Sequence, residues 1–164
     1  MINVIIHGCG GKMGKVVEGL VKEDSQLTVA AGIDPRDIQA DYPVFHSVDE
    51  CTVKGDVIID FSTASAIPAL LDYCVKTGTP AVLCTTGFSD ELNNKVKEAS
   101  KSVAILKSAN MSVGVNLIMN LVKKAAEALY DSGFDIEILE KHHNQKIDAP
   151  SGTAIAIADS INEA

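Results

Sequence analysis

Through the first hundred residues, continuous apolar runs alternate with segments whose apolar positions recur at helical spacing. Ile2, Val4, Ile5 and Ile6 lead into His7 as a short buried strand, and residues 16–21 follow with a helical period. A second apolar run, 27–33, ends at Asp34. Pro35, Arg36 and Asp37 then read as a loop, and no period emerges from there to Val53. Residues 56–62 read as another buried strand, and residues 64–76 place Ile67, Leu70, Leu71, Cys74 and Val75 at helical spacing. Pro68 is tolerable in the first turn of that helix, and Gly78 ends it. Residues 80–84 give a strand, Ser89 caps a polar helix reaching to about Lys101, and residues 103–106 give a further strand. Strands that are apolar on both faces and alternate with helices predict a parallel sheet covered on both sides: an α/β, doubly wound, Rossmann-like domain.

Beyond residue 111 the pattern changes. A long helix is predicted over 113–130, with Leu117, Leu121, Val122, Ala125 and Leu129 along one side, and Asp131, Ser132 and Gly133 stop it. Phe134, Ile136 and Ile138 then alternate with Asp135 and Glu137, the period of a strand with one solvated face. A second sheet is expected to begin here, followed by a helix over 151–162. The chain thus divides into a nucleotide-binding domain, 1–111, and the beginning of a second α+β domain, 112–164. One strand and one helix do not make a stable sheet. If Ala164 were the true end, residues 134–142 would present an unpaired apolar strand and an aggregation liability.

Two stretches carry candidate chemistry. Gly8, Cys9, Gly10, Gly11, Lys12, Met13 and Gly14 join the first strand to the first helix. Glycines there let the backbone turn tightly and approach a pyrophosphate, and the helix start offers N–H donors to it. Asp34 lies about 20 residues after the last of these glycines, where a carboxylate can accept from a ribose hydroxyl. This spacing predicts dinucleotide binding. Ligands of such sheets sit at the carboxyl ends of the strands, which adds Ser62, Thr63, Thr85, Thr86, Gly87, Phe88, Ser108, Ala109, Asn110 and Met111 to the crevice.

The second stretch is residues 140–154, which gathers His142, His143, Lys146 and a Ser151–Gly152–Thr153 turn opening a helix. Imidazoles titrate near neutral pH, lysine adds fixed positive charge, and a helix start binds anions. Together they suggest a site that binds an anion and moves a proton. Lys141 reads as a solvated charge, Met13 fits helix packing as well as cofactor contact, and His7 and His46 have no partner pattern.

The 164 residues are 46% apolar and 22% charged, an ordinary globular composition, with a formal net charge of -8. That charge argues against a general nucleic-acid or anionic-membrane binder, so an anionic substrate must meet a local basic pocket. Cys9, Cys51, Cys74 and Cys84 lack metal spacing and read as buried free thiols. No metal site is expected. The first residues enter a strand without a basic leader and no run approaches a membrane span, so a cytoplasmic location is expected.

With both stretches in view, the chain resembles the dihydrodipicolinate reductase (4-hydroxy-tetrahydrodipicolinate reductase) family of lysine and diaminopimelate biosynthesis. Residues 140–154 are similar to its E-x-H-H-x-x-K-x-D-A-P-S-G-T-A signature, supported by the glycine turn, by Thr85–Thr86–Gly87–Phe88 and by Asn110–Met111–Ser112–Val113–Gly114. The resemblance implies reduction of 4-hydroxy-tetrahydrodipicolinate (dihydrodipicolinate), a small anionic dicarboxylate, to tetrahydrodipicolinate by NADH or NADPH. It implies His142 as the catalytic proton donor or acceptor, Lys146 as a second proton-donating or charge-stabilising catalytic group, and His143, Gly152 and Thr153 as substrate-binding residues. For the cofactor it implies Gly8, Cys9, Gly10, Gly11, Lys12, Met13, Asp34, Cys84, Thr85, Thr86, Ser108, Ala109, Asn110 and Met111. Where many relatives place an arginine after the acidic residue of the second strand, this chain has Pro35 and then Arg36, which leaves NADH and NADPH both open. Family members continue into further strands that complete a substrate domain and a homotetramer, so a truncated chain holding NAD(P) without turnover is the alternative.

Overall fold

In a computed structural model the chain is described at residues 1–108, 110–144, 146 and 149–164. Contacts divide it into two compact units, Met1–Ser108 and Ala109–Ala164.

The first unit is built on one six-stranded sheet, all parallel: β1 (Ile2–His7), β2 (Leu27–Ile33), β3 (Val44–Phe45), β4 (Val57–Asp60), β5 (Ala81–Leu83) and β6 (Ile105–Lys107), in the order β3-β2-β1-β4-β5-β6. The chain leaves β1 toward β2 on one side and returns to β4 on the other. The strand order therefore reverses beside β1, and ligand crevices of open α/β sheets form at such a reversal. Helices α1 (Lys12–Glu23), α2 (Ile67–Thr77) and α3 (Asp90–Ala99) connect the strands. Side chains alternate across each strand, so the core falls into two layers. Val4, Ile6 and Cys9 pack with Val17 and Val21 of α1, whereas Ile5, Ile58 and Leu83 pack with Ile67, Leu70 and Leu71 of α2 and with Leu92 and Val96 of α3.

The stretch without a period, residues 35–53, folds as the two-residue strand β3 and a single 3-10 turn, Val48–Glu50. Elements that short carry no period to read. Pro68 sits in the first turn of α2, and Gly78 ends it in the left-handed region at φ 70.

The second unit holds α4 (Val113–Leu129), a 3-10 turn at Tyr130–Ser132 and α5 (Gly152–Asn162), and the two helices pack on each other. The strand expected over 134–138 does not form: Phe134, Ile136 and Ile138 are exposed and pair with no strand among the described residues. A period of two records which face a strand would bury. The ladder that makes it a strand needs a second strand beside it.

Candidate functional site

The glycine turn is shaped by close approach. Gly8 has φ +82, and a Cβ there would stand 2.5 Å from the carbonyl oxygen of Phe61. A Cβ on Gly14 would collide with the carbonyl of Gly8, so the first turn of α1 can rest on the strand only with glycine at that position. The turn is tied down by Gly8 N–H to the Ile33 carbonyl (2.7 Å) and Gly11 N–H to the Gly8 carbonyl (3.0 Å). Gly11 stands at the N-cap of α1 and supplies no side-chain cap, which leaves the helix start able to serve an anion.

Asp34 follows β2 and is 2% exposed. Its Oδ2 accepts from Gly10 N–H at 3.0 Å, and the Arg36 guanidinium grips both carboxylate oxygens, Nε to Oδ1 at 2.8 Å and Nη2 to Oδ2 at 3.0 Å. The Arg36 bond holds the Asp34 carboxyl below the usual range against the opposing effect of burial. These residues border a crevice of ≈ 360 Å³ lined by His7, Gly8, Gly11, Ile33, Asp34, Pro35, Arg36, Phe61, Ser62, Thr63 and Ala66.

The expected cofactor residues separate by what their side chains do. Gly8, Gly11 and Asp34 line the crevice directly, with Gly10 held to Asp34, and Lys12 and Met13 stand exposed on the first turn of α1. Met13 is 45% exposed, which sets it outside the core. Cys9 is fully buried; its sulfur packs where a Cβ on Gly32 would lie, so only its backbone belongs to the turn. Cys84 and Thr85, after β5, are buried and Thr86 is exposed. Burial, with the negative charge of Asp60 adding to it, pushes the Cys84 thiol up to about 11, so that thiol stays protonated at neutral pH. All four cysteines are free and buried. Ser108 follows β6, its N–H bonded to the Leu83 carbonyl at 3.0 Å. Ala109 lies outside the described residues.

Asn110 and Met111 fall in the second unit. There the Asn110 amide donates to Thr153 Oγ1 at 2.9 Å and its Oδ1 accepts from Ser112 N–H at 2.8 Å, so one expected cofactor residue is bonded to one expected substrate residue. Gly152 and Thr153 are the first residues of α5. Ser151 caps that helix, its Oγ accepting from Ala154 N–H at 3.0 Å, while its own N–H donates to Glu140 Oε1 at 2.8 Å. The other carboxylate oxygen of Glu140 lies 3.3 Å from His142 Nδ1. The Ser151 bonds hold the Glu140 carboxyl below its ordinary range, with His142 and Lys146 contributing attraction. His142 and His143 are exposed, and Lys146 N–H bonds back to the His143 carbonyl at 3.2 Å. A carboxylate therefore lies within ion-pair distance of an imidazole beside a capped helix start, a set of groups able to bind an anionic group and deliver a proton.

Three participants escaped the sequence reading. Glu140 stood within the signature without a role. Asp60 and His7 each end a buried apolar run, and parallel pairing of those runs would have brought them together. Among the described residues no group of three or more His, Cys, Asp or Glu side chains is arranged to hold a metal ion, and no helix is long and apolar enough to cross a membrane.

Two family models match the chain: dihydrodipicolinate reductase, N-terminus, over residues 2–111, and dihydrodipicolinate reductase, C-terminus, over residues 114–164. The 4-hydroxy-tetrahydrodipicolinate reductase of Caldanaerobacter subterraneus subsp. tengcongensis is 53% identical over 163 residues, 99% of this chain and 64% of the relative. That of Clostridium novyi is 48% identical over 164 residues, 99% of this chain and 65% of the relative. The chain thus spans just under two thirds of these relatives' length. Among solved structures, the dipicolinate-bound dihydrodipicolinate reductase from Paenisporosarcina sp. TG-14 matches with a TM-score of 0.79 and 31% identity, over 99% of this chain and 66% of that one. The WlbA dehydrogenase from Bordetella pertussis, in complex with NADH and UDP-GlcNAcA, matches with a TM-score of 0.60 at 17% identity over 78% of this chain and 42% of that one, a likeness of fold alone.

Proposed function

We propose, because the chain belongs to the dihydrodipicolinate reductase family, that the whole protein reduces 4-hydroxy-tetrahydrodipicolinate (dihydrodipicolinate) to tetrahydrodipicolinate in diaminopimelate and lysine biosynthesis. The observation that carries this reading is the Glu140 carboxylate, which accepts from the N–H of the α5 cap with one oxygen and lies 3.3 Å from the His142 ring with the other. That contact puts a proton-bearing group beside an anion-binding helix start within one signature.

NADH or NADPH, when bound, supplies the hydride. The first unit fits such a group: Gly8 at positive φ, the close approach at Gly14 and a carboxylate at Asp34 frame a crevice at the strand reversal. Hydride addition leaves negative charge on the substrate ring, and a positioned acid must quench it. His142 donates that proton and Lys146 holds or supplies charge beside it. His143, Gly152 and Thr153 hold the substrate carboxylates, with roughly half a positive charge from the α5 dipole behind Gly152 and Thr153. A neighbour solved with dipicolinate bound supports a planar dicarboxylate as the ligand class.

Both dinucleotides are accepted in this reading. Asp34 takes the ribose hydroxyls of NADH, and Arg36, whose side chain is 63% exposed, swings from Asp34 to meet the 2'-phosphate of NADPH. Arg36→Ala should lower kcat/KM for NADPH by about 10-fold and leave NADH within about twofold. Equal losses with both cofactors would remove Arg36 from discrimination. In this reading the whole protein acts in the cytoplasm, which fits four free, buried thiols, and assembles as the homotetramer that the family resemblance implies.

The test is oxidation of NADH and NADPH with substrate generated in place by the preceding synthase, with His142→Ala as control. Turnover that is lost in the variant supports the reductase. Cofactor binding without turnover would make this chain the cofactor-holding part of a site completed elsewhere in the protein.

A further inference from the structure

Where the strand order reverses, the structure buries an imidazole–carboxylate pair that the proposed reaction does not use. His7 ends β1, Asp60 ends β4, and the two are register partners across the parallel ladder. His7 is 6% exposed and Asp60 is fully buried. Nδ1 of His7 lies 2.9 Å from Asp60 Oδ1 in a bent contact, and that oxygen also accepts from Ser62 Oγ at 2.5 Å and Ser62 N–H at 3.2 Å. Asp60 Oδ2 and the hydroxyl of Thr85 are buried without a hydrogen-bond partner. A domain core has no need of this. A buried carboxylate costs several kcal/mol to desolvate, and apolar residues in its place would pack at no such cost.

Three strand ends meet here, and those of β1 and β4 lead directly into the crevice lining. Past His7 comes the Gly8 turn, past Asp60 come Ser62 and Thr63, and past Leu83 come Thr85 and Thr86. His7, Gly8, Ser62 and Thr63 all line the ≈ 360 Å³ crevice. We propose that His7 and Asp60 are a positioning pair for the dinucleotide: they hold the ends of β1, β4 and β5 in the geometry that binds it, and the charge on His7 sets how tightly.

The charge matters because the diphosphate is anionic. With His7 protonated, the buried Asp60 charge is offset; with His7 neutral, an uncompensated negative charge remains under the crevice floor. The other ionisable groups around the pair hold their charge near neutral pH. Cys74 of α2 and Cys84 after β5 are pushed by burial up to about 11, and on the far wall Arg36 keeps Asp34 ionised. Affinity is then expected to be lower with His7 neutral than with it protonated.

This inference rests on the dinucleotide reading above, and one experiment separates the two. NADH and NADPH affinity is measured from about pH 6 to 8.5 by nicotinamide fluorescence for the unsubstituted chain, His7→Gln, Ser62→Ala and Asp60→Asn, with a thermal melt of each. The unsubstituted chain should weaken about 5- to 10-fold across that range, a coupling at the low end of those between linked sites. His7→Gln should bind weakly with a flat profile, and Ser62→Ala should weaken binding while keeping the slope. Should Asp60→Asn fail to fold, the other two carry the test. A folded His7→Gln that binds as the parent does, with the same pH slope, overturns the pair and leaves the dinucleotide reading standing. An unsubstituted chain that binds neither dinucleotide overturns both.

Discussion

Asp60 concentrates the electrostatics of the first unit in one side chain. Burial alone would raise its pKa; the nearby polar groups of His7, Ser62 and Thr85, with Ser62 hydrogen-bonded to it, outweigh that and hold it below the usual carboxylate range. A carboxyl whose folded pKa lies below its unfolded one adds stability that is present above the unfolded value, about 4, and is lost as pH falls through the lower folded value. Urea unfolding should therefore show stability declining below about pH 4. Asp60→Asn should cost about 3 kcal/mol at pH 7, the low end for breaking a buried pair, and should flatten that acid limb. A variant whose acid limb matches the parent's would assign the decline to other carboxyls. The same burial governs the thiols. Cys74 and Cys84, pushed up to about 11, should react with iodoacetamide at pH 7 only as fast as the chain opens. Labelling at the rate of a free thiol in the native state would contradict their protonation.

Helices differ in how they begin. Ser89, Ser112 and Ser151 each accept the N–H three residues on, at 3.2, 3.4 and 3.0 Å, and so close α3, α4 and α5 at their starts. Gly11 gives α1 no side-chain cap. Ser151→Ala should cost about 1 kcal/mol of stability, read as a lower melting temperature, and should also loosen the α5 start that Gly152 and Thr153 present. A melt unchanged by that substitution would show the cap to be idle. Most of these elements were legible in the sequence because their signals are local: a Ser before a helical period, Gly78 after one, a run of apolar β-branched residues. The short β3 and the Val48–Glu50 turn were not, being too brief for any period. The alternation from Phe134 to Ile138 was a true pattern with no strand to pair with among the described residues. In the site, the glycine turn, Asp34 and the 140–154 signature were legible, since residue type and spacing carry the chemistry. His7 with Asp60 was not, because 53 residues separate the partners and only the parallel pairing of β1 with β4 makes them neighbours.

At the scale of the molecule, the two candidate stretches fall in different units. Every residue lining the ≈ 360 Å³ crevice lies between His7 and Ala66, and both apolar layers of the sheet are built from residues no later than Ile105. The residues proposed to bind the anion and carry the proton, His142, His143, Lys146, Gly152 and Thr153, belong to the unit Ala109–Ala164, which has no sheet among its described residues. Cutting the chain after Ser108 should therefore leave a cooperatively melting domain, since 108 residues suffice for an independent core. That fragment should bind NADH within about 10-fold of the longer chain, the loss reflecting Asn110 and Met111, and should show no response to a planar pyridine dicarboxylate. Calorimetric titration of both ligands against both lengths of chain decides it. NADH binding abolished by the cut would mean that the crevice needs the second unit to form, and that the cofactor and substrate halves of this fold are one cooperative site rather than two.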